Sequence, residues 1–342
     1  MFHLQGPGQA DRLGGGAGLW HRLQPHARHT GHGAGWRRTR GLILDIRNPL
    51  PDDAVNVTRV HPLKDFFLLS GGVLAILVIG IALLSLAADR LVQTIPFSVE
   101  HRLANKFPLD TGAITTGPTA KYLQDLAQVF SKTMALPKEM KIRVSLIDSD
   151  VVNAFATLDG NIVFFTGLLR RMPNENALAM VMAHEIAHVK LRHPLRSLGR
   201  GVVVGLAVAT VAGVSANGMV EKLLGNTGAL TVLSFTRDQE SAADRLAVAA
   251  LVKHYGHAAS ARQLFEILNA SKGGKGSVVP EFFASHPLDE NRIAALRAQI
   301  RQQGWQEEGN PQDIPLAVQK EITRLGNIKK KPKTTPGKRQ NH

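Results

Sequence analysis

Cysteine is absent from all 342 residues. That excludes disulfides, thiolate metal sites and cysteine nucleophiles, and any bound metal must be held by His, Asp or Glu. Acidic residues are missing from 326–342, which holds six Lys/Arg, while 1–65 carries nine Lys/Arg against five Asp/Glu. The two ends thus hold 10 of the +14 net charges, a distribution that reads as solvated, disordered tails, and no specific nucleic-acid partner is expected. The first forty residues are rich in Gly, Arg and His but lack any apolar period, and their irregularly spaced histidines suggest no site.

Charge is missing altogether from 66–88. As a helix rising about 1.5 Å per residue, that run matches the roughly 30 Å hydrocarbon core, so it is expected to be an uncleaved transmembrane anchor in contact with membrane lipid. Residues 36–65 hold six Lys/Arg and 89–118 hold three. The bias favours a cytoplasmic N-terminus, which places the chain beyond the anchor on the periplasmic side of a bacterial inner membrane. A second apolar stretch, 201–216, is short for a span. It reads as a buried helix or as a dip into the bilayer, its small residues favouring the buried helix.

Beyond the anchor, Leu123, Leu126, Ala127 and Phe130 recur at helical spacing, and 142–147 and 161–166 read as strands, the second preceded by the turn signal Asp159-Gly160. An amphipathic helix capped by Asn174 comes next and is expected to stop at Pro194. The expected domains are a leader (1–65), an anchor (66–88), a globular domain (89–325) and a basic tail (326–342).

That capped helix carries His184-Glu185-Ile186-Ala187-His188, the HExxH pattern. Two histidines four residues apart lie about 40° apart around a helix axis, so both imidazoles can reach one ion. Zinc suits two imidazoles, a carboxylate and a position left for water, and Glu185 stands where a general base would take that water's proton. The third ligand has a candidate in Glu240, with Asp244 four residues on to accept a hydrogen bond from a ligand imidazole. His193, about 140° from His188 if the helix continued, reads as structural.

Taken in order, HEIAH, Phe235-Thr236-Arg237-Asp238-Gln239-Glu240 with Asp244, and Ser285-His286-Pro287 with Arg292 resemble the HtpX, Oma and CAAX-prenyl-protease family of zinc endopeptidases. The resemblance covers roughly 115–300 and includes Asn153-Ala154-Phe155, Gly160-Asn161-Ile162 and Thr166-Gly167-Leu168-Leu169. It implies an α+β, predominantly helical, zincin-like domain with a small β-sheet, one zinc ion per chain held by His184, His188 and Glu240, and catalysis by Glu185. It also implies that His286 and Arg292 lie near the scissile carbonyl. Asn153, Asn161, Ile162 and Val163 would bind substrate if 161–165 is an exposed edge strand that pairs with an extended backbone. Ala242, Ala243 and Ala247 depart from the family pattern, as do Phe235 and Thr236, and bear on packing. The function this implies is a membrane-anchored endopeptidase acting on proteins or peptides in quality control. A zinc-stabilised, non-catalytic, chaperone-like binding protein stays open as the alternative.

Overall fold

A computed structural model describes residues 61–106, 112–215, 217–218, 234–263, 265–266, 282–287 and 290–328. Nearly all of the leader and most of the basic tail lie outside them. The charge-free run forms part of helix α1 (Pro62–Leu91), whose large apolar side chains are turned outward, Phe67 with 70% of its surface exposed. Helix α2 (Phe97–Lys106) follows, then α3 (Pro118–Thr133), which buries Leu123, Leu126, Ala127 and Phe130 along one face, the four that the apolar period singles out. Burying each of the larger three contributes about 1.5–3 kcal/mol.

Three strands come next, β1 (Arg143–Ile147), β2 (Ala154–Ala156) and β3 (Asn161–Phe165), in the order β1-β3-β2. β3 runs parallel to β1 and antiparallel to β2, and is therefore the central strand, not the edge strand expected of 161–165. The β2–β3 turn has both Asp159 (φ 61°) and Gly160 (φ 69°) in the left-handed region. A Cβ at Gly160 would collide with the Lys141 carbonyl, so glycine is required there.

The short helix α4 (Thr166–Leu169) leads to α5 (Glu175–Lys190), the HExxH helix. Asn174 caps it as expected, its side chain accepting the Ala177 N–H at 2.9 Å. Glu175 in the first turn, favourable against the helix dipole, accepts the hydroxyls of Tyr122 (2.8 Å) and Tyr255 (2.9 Å). α5 is not amphipathic: every residue from Asn176 to Val189 is buried, as expected of a helix at the centre of a core. It ends at Lys190, short of Pro194, because Arg192 (φ 57°) reverses the chain and Pro194 enters the first turn of α6 (His193–Ala212).

Among the described residues there follow α7 (Arg237–Tyr255), α8 (Phe282–Ser285), α9 (Glu290–Gln302) and α10 (Leu316–Ile328). α5 and α7 form the most extensive contact in the fold. Fully buried alanines on both, Ala179, Ala183 and Ala187 on one and Ala243 and Ala247 on the other, let the axes approach closely. The small residues that depart from the family pattern thus serve this packing.

The turn after α5 is fixed by buried charge. Glu100 on α2, 3% exposed, accepts the Asp159 N–H at 2.9 Å through one oxygen and Arg192 at 3.0 and 3.2 Å through the other. Arg192 also donates to the Val92 and Ile95 carbonyls just past α1. Removing one member of such a pair strands the other charge, so Glu100→Ala is expected to lower unfolding free energy by about 3–5 kcal/mol, read from the denaturant midpoint. An effect below about 1 kcal/mol would mean the pair is solvated.

Candidate metal centre

Three segments bring the site together. α5 presents His184, Glu185 and His188 from one face. α7 presents Glu240, which a capping box places: Thr236 Oγ1 accepts the Gln239 N–H at 3.3 Å and Gln239 Oε1 accepts the Thr236 N–H at 2.9 Å. His286 follows α8, its N–H donating to the Phe282 carbonyl at 2.8 Å and its ring stacked on Phe282 at 4.5 Å. The Phe235 N–H donates to the Ser285 carbonyl at 3.1 Å, joining the last two segments.

His184 Nε2 lies 2.9 Å from His188 Nε2, 3.3 Å from His286 Nδ1 and 3.4 Å from Glu240 Oε2. Glu240 Oε1 lies 3.0 Å from His286 Nδ1 and 3.4 Å from His188 Nε2. A tetrahedron with metal–ligand distances of about 2.0–2.1 Å has edges of about 3.4 Å, close to these separations, and one donor atom from each of the four residues lies within 4.8 Å of the others, so the group can gather around a single zinc ion. All four residues are at most 1% exposed, and lone pairs crowded together out of water call for a cation among them. His184, His188, Glu240 and His286 therefore form a metal-binding group that suits zinc.

The charge balance agrees. Burial alone would push His184 down, yet the Asp244 and Glu240 carboxylates outweigh it and hold its pKa up at about 10. Burial raises Glu240 in isolation, but His286 and His184 bring its carboxyl well below the usual range. His188 is held well below its ordinary value by burial and by the neighbouring His184. Burial also raises Glu185, against the pull of His286, whose Nε2 lies 3.4 Å from Glu185 Oε1.

Asp244 is where the spacing places it, 3.0 Å from His184 Nδ1. Arg292 grips both Asp244 oxygens at 2.8 and 2.9 Å, reaches Glu240 at 2.8 Å and donates to the Pro287 carbonyl at 3.0 Å. Its guanidinium, 3% exposed, braces the acidic ligand and its neighbour. His286 joins the ligand group itself. Asn153 is buried beside β2 with its Oδ1 unpartnered, whereas Asn161, Ile162 and Val163 lie on the central strand with both edges paired.

Sequence spacing missed two residues. Because α5 ends before Arg192, His193 is not on its far side. Its Nδ1 comes within 2.9 Å of His188 Nδ1, and burial, with Arg196 adding to it, pushes its pKa down to about 3. A neutral His193 can accept the His188 Nδ1–H and fix the tautomer that leaves Nε2 for the metal. Phe235 stacks on His188 with ring centroids 4.0 Å apart. His193→Ala is expected to weaken zinc affinity about 10–100-fold, measured by chelator competition; unchanged affinity would reduce His193 to packing.

A buried HExxH helix, a glutamate from a second helix and a sheet alongside define the site of a zinc-dependent metallopeptidase class. Residues 118–300 match Peptidase family M48, and the chain belongs to that family. It is 35% identical over 170 residues to the "Beta-barrel assembly-enhancing protease" of Escherichia coli (strain K12), covering 46% of this chain and 34% of that protein. It thus spans about a third of that relative's length. It is also similar to "Mitochondrial metalloendopeptidase OMA1" of Schizosaccharomyces pombe, at 28% identity over 52% of each chain. "Metalloprotease YcaL" of Escherichia coli (strain K12) is 26% identical over 56% of this chain and 75% of its own length.

Proposed function

We propose that this chain is a membrane-anchored, zinc-dependent endopeptidase. The carrying observation is the convergence of four buried ligand side chains with the buried Glu185 carboxylate beside them. Bound there, zinc would supply a Lewis acid that makes water acidic enough to attack near neutral pH and that polarises a carbonyl. Glu185 takes the proton of the attacking water at a carboxylate oxygen and passes it to the leaving amide nitrogen. His184, His188 and Glu240 would hold the ion, Asp244 and His193 orient the two α5 imidazoles, and Arg292 braces Asp244 and Glu240. His286 belongs to the ligand group through Nδ1 and lies 3.4 Å from Glu185 Oε1 through Nε2; with zinc held by the other three and water in the fourth position, it would stand beside the ion to meet the oxyanion.

The substrate backbone has a different docking edge from the one expected of β3. In the β2–β3 ladder, Thr157 N–H donates to Asn161 O (2.8 Å) and Phe165 N–H to Asn153 O (3.1 Å). By alternation the backbone groups of Ala154 and Ala156 point away from β3, and the Ala156 amide draws the Glu185 carboxyl pKa down. Among the described residues no strand pairs with that outer side of β2. An extended substrate pairing there would lie along Glu185 with little regard to its side chains, which suits unfolded proteins. Ala154→Pro, which removes an outward N–H without touching the β2–β3 ladder, is expected to raise KM with zinc content unchanged. An unaltered KM would return the substrate to another edge.

Quality control of membrane-associated proteins fits the long apolar α1 and the β-barrel assembly for which the first of these relatives is named. A cytoplasmic N-terminus with the peptidase domain in the periplasm accords with the Lys/Arg bias. The test of the activity is the appearance of new amino termini in an unfolded protein incubated with the full chain. It should be abolished by chelation and restored by zinc; absence of cleavage by zinc-loaded protein would favour the binding-protein alternative.

A further inference from the structure

α6 does not behave as the buried helix its small residues suggest. Its first turns belong to the peptidase domain, with His193, Pro194, Leu195, Ser197 and Leu198 buried. Farther on it keeps only Gly205 and Ala209 buried, while Val204, Val208 and Val211 recur at helical spacing with 45%, 52% and 72% of their surface exposed. No charged side chain occurs from Gly201 to Ser215. The Thr210 hydroxyl is satisfied internally by the Leu206 carbonyl at 2.8 Å, as an apolar medium requires.

α6 also packs along α1, where a Cβ at Gly199 would stand 3.7 Å from that of Ala88. At the foot of the pair Arg200 bonds Asp89 at 3.0 and 3.2 Å, Ser197 Oγ at 3.0 Å and Gln239 Oε1 at 2.9 Å. One guanidinium thus ties α1, α6 and the start of α7 at one level. On one side of it 66–88 of α1 and 201–212 of α6 carry no charge; on the other it holds Gln239, the residue before the ligand Glu240.

We propose that residues 201–212 enter the lipid bilayer beside α1, with the Asp89–Arg200 pair at the membrane surface, and that the chain returns on the same side. The segment rises about 18 Å at ~1.5 Å per residue, about half of a ~30 Å hydrocarbon core, so it penetrates without crossing. A return is required because Phe235 stacks on His188 and Glu240 joins His184, so the chain is back at the site it left. The occupant is hydrocarbon: the exposed face is aliphatic but for Thr210, whose hydroxyl is bonded within the helix, and it continues the α1 surface. This arrangement seats the catalytic cleft on the membrane and presents it to substrates emerging from, or lying on, the bilayer. The inference rests on the reading of α1 as an anchor.

The absence of native cysteine allows single probes. Val204→Cys, Val208→Cys and Val211→Cys, with Leu74→Cys on α1 and Lys121→Cys on exposed α3 as references, are labelled with an environment-sensitive fluorophore in the full chain. The chain is then reconstituted in phosphatidylcholine vesicles with or without brominated acyl tails. Positions 204, 208 and 211 should lose emission to the brominated tails, increasingly in that order, and resist a water-soluble maleimide that modifies Lys121→Cys. Free reaction at 208 and 211 with Leu74→Cys protected would overturn the inference and leave the anchor intact. Protection without quenching would also overturn it, by showing a protein partner or a second copy on that face. Reaction and no quenching at Leu74→Cys would remove the anchor reading and the inference with it.

Discussion

Stripping zinc from the protein is expected to abolish cleavage and lower Tm by about 10 °C. Linkage sets the size of the shift: a metal present at ~1,000 times its Kd stabilises the folded state by about 4 kcal/mol, and each kcal/mol moves a domain of this size by about 2–4 °C. The structure says why the apo state suffers. The Nε2 atoms of His184 and His188 stand 2.9 Å apart beside the buried Glu240 carboxylate, a crowding that a cation among them would relieve. Zinc should restore both cleavage and Tm, while magnesium, which demands oxygen ligands, should restore neither. A Tm unmoved by chelation would mean that the four side chains do not share an ion.

Glu185→Gln is expected to reduce kcat about 10²–10⁴-fold, the range for loss of a positioned general base. It should leave zinc content unchanged, because Glu185 lies outside the four-donor group. Tm should hold or rise, since the substitution removes a buried carboxylate whose ionised form burial disfavours. This opposite movement of activity and stability separates a catalytic role from a structural one. Equal loss of activity and Tm would assign Glu185 to the core.

Much of the site was legible because helical spacing is local. His184, His188, Asn174, and Glu240 with Asp244 all follow from periods and caps on α5 and α7, and the structure places each as that geometry requires. The departures arise where tertiary placement decides. Strand order is not encoded in the local sequence of 161–165, so β3 was not recognised as central. The left-handed turn at Arg192 depends on Glu100, 92 positions away, and on carbonyls beyond α1, so a continuous helix misplaced His193. Arg292 had two acidic partners on another helix that no local rule connects to it. The outer half of α6 is as small and apolar as a core helix, and only the exposure of Val208 and Val211 in the fold sets it apart from one.

The central claim is most directly tested by one turnover measurement: full-length protein in lipid vesicles, loaded with one zinc per chain, incubated with an unfolded protein substrate beside Glu185→Gln at equal zinc content. Internal peptide-bond cleavage by the wild type, with at most about one hundredth of that rate from the variant, is the predicted result. Equal rates from both, or none from either zinc-loaded protein, would contradict it.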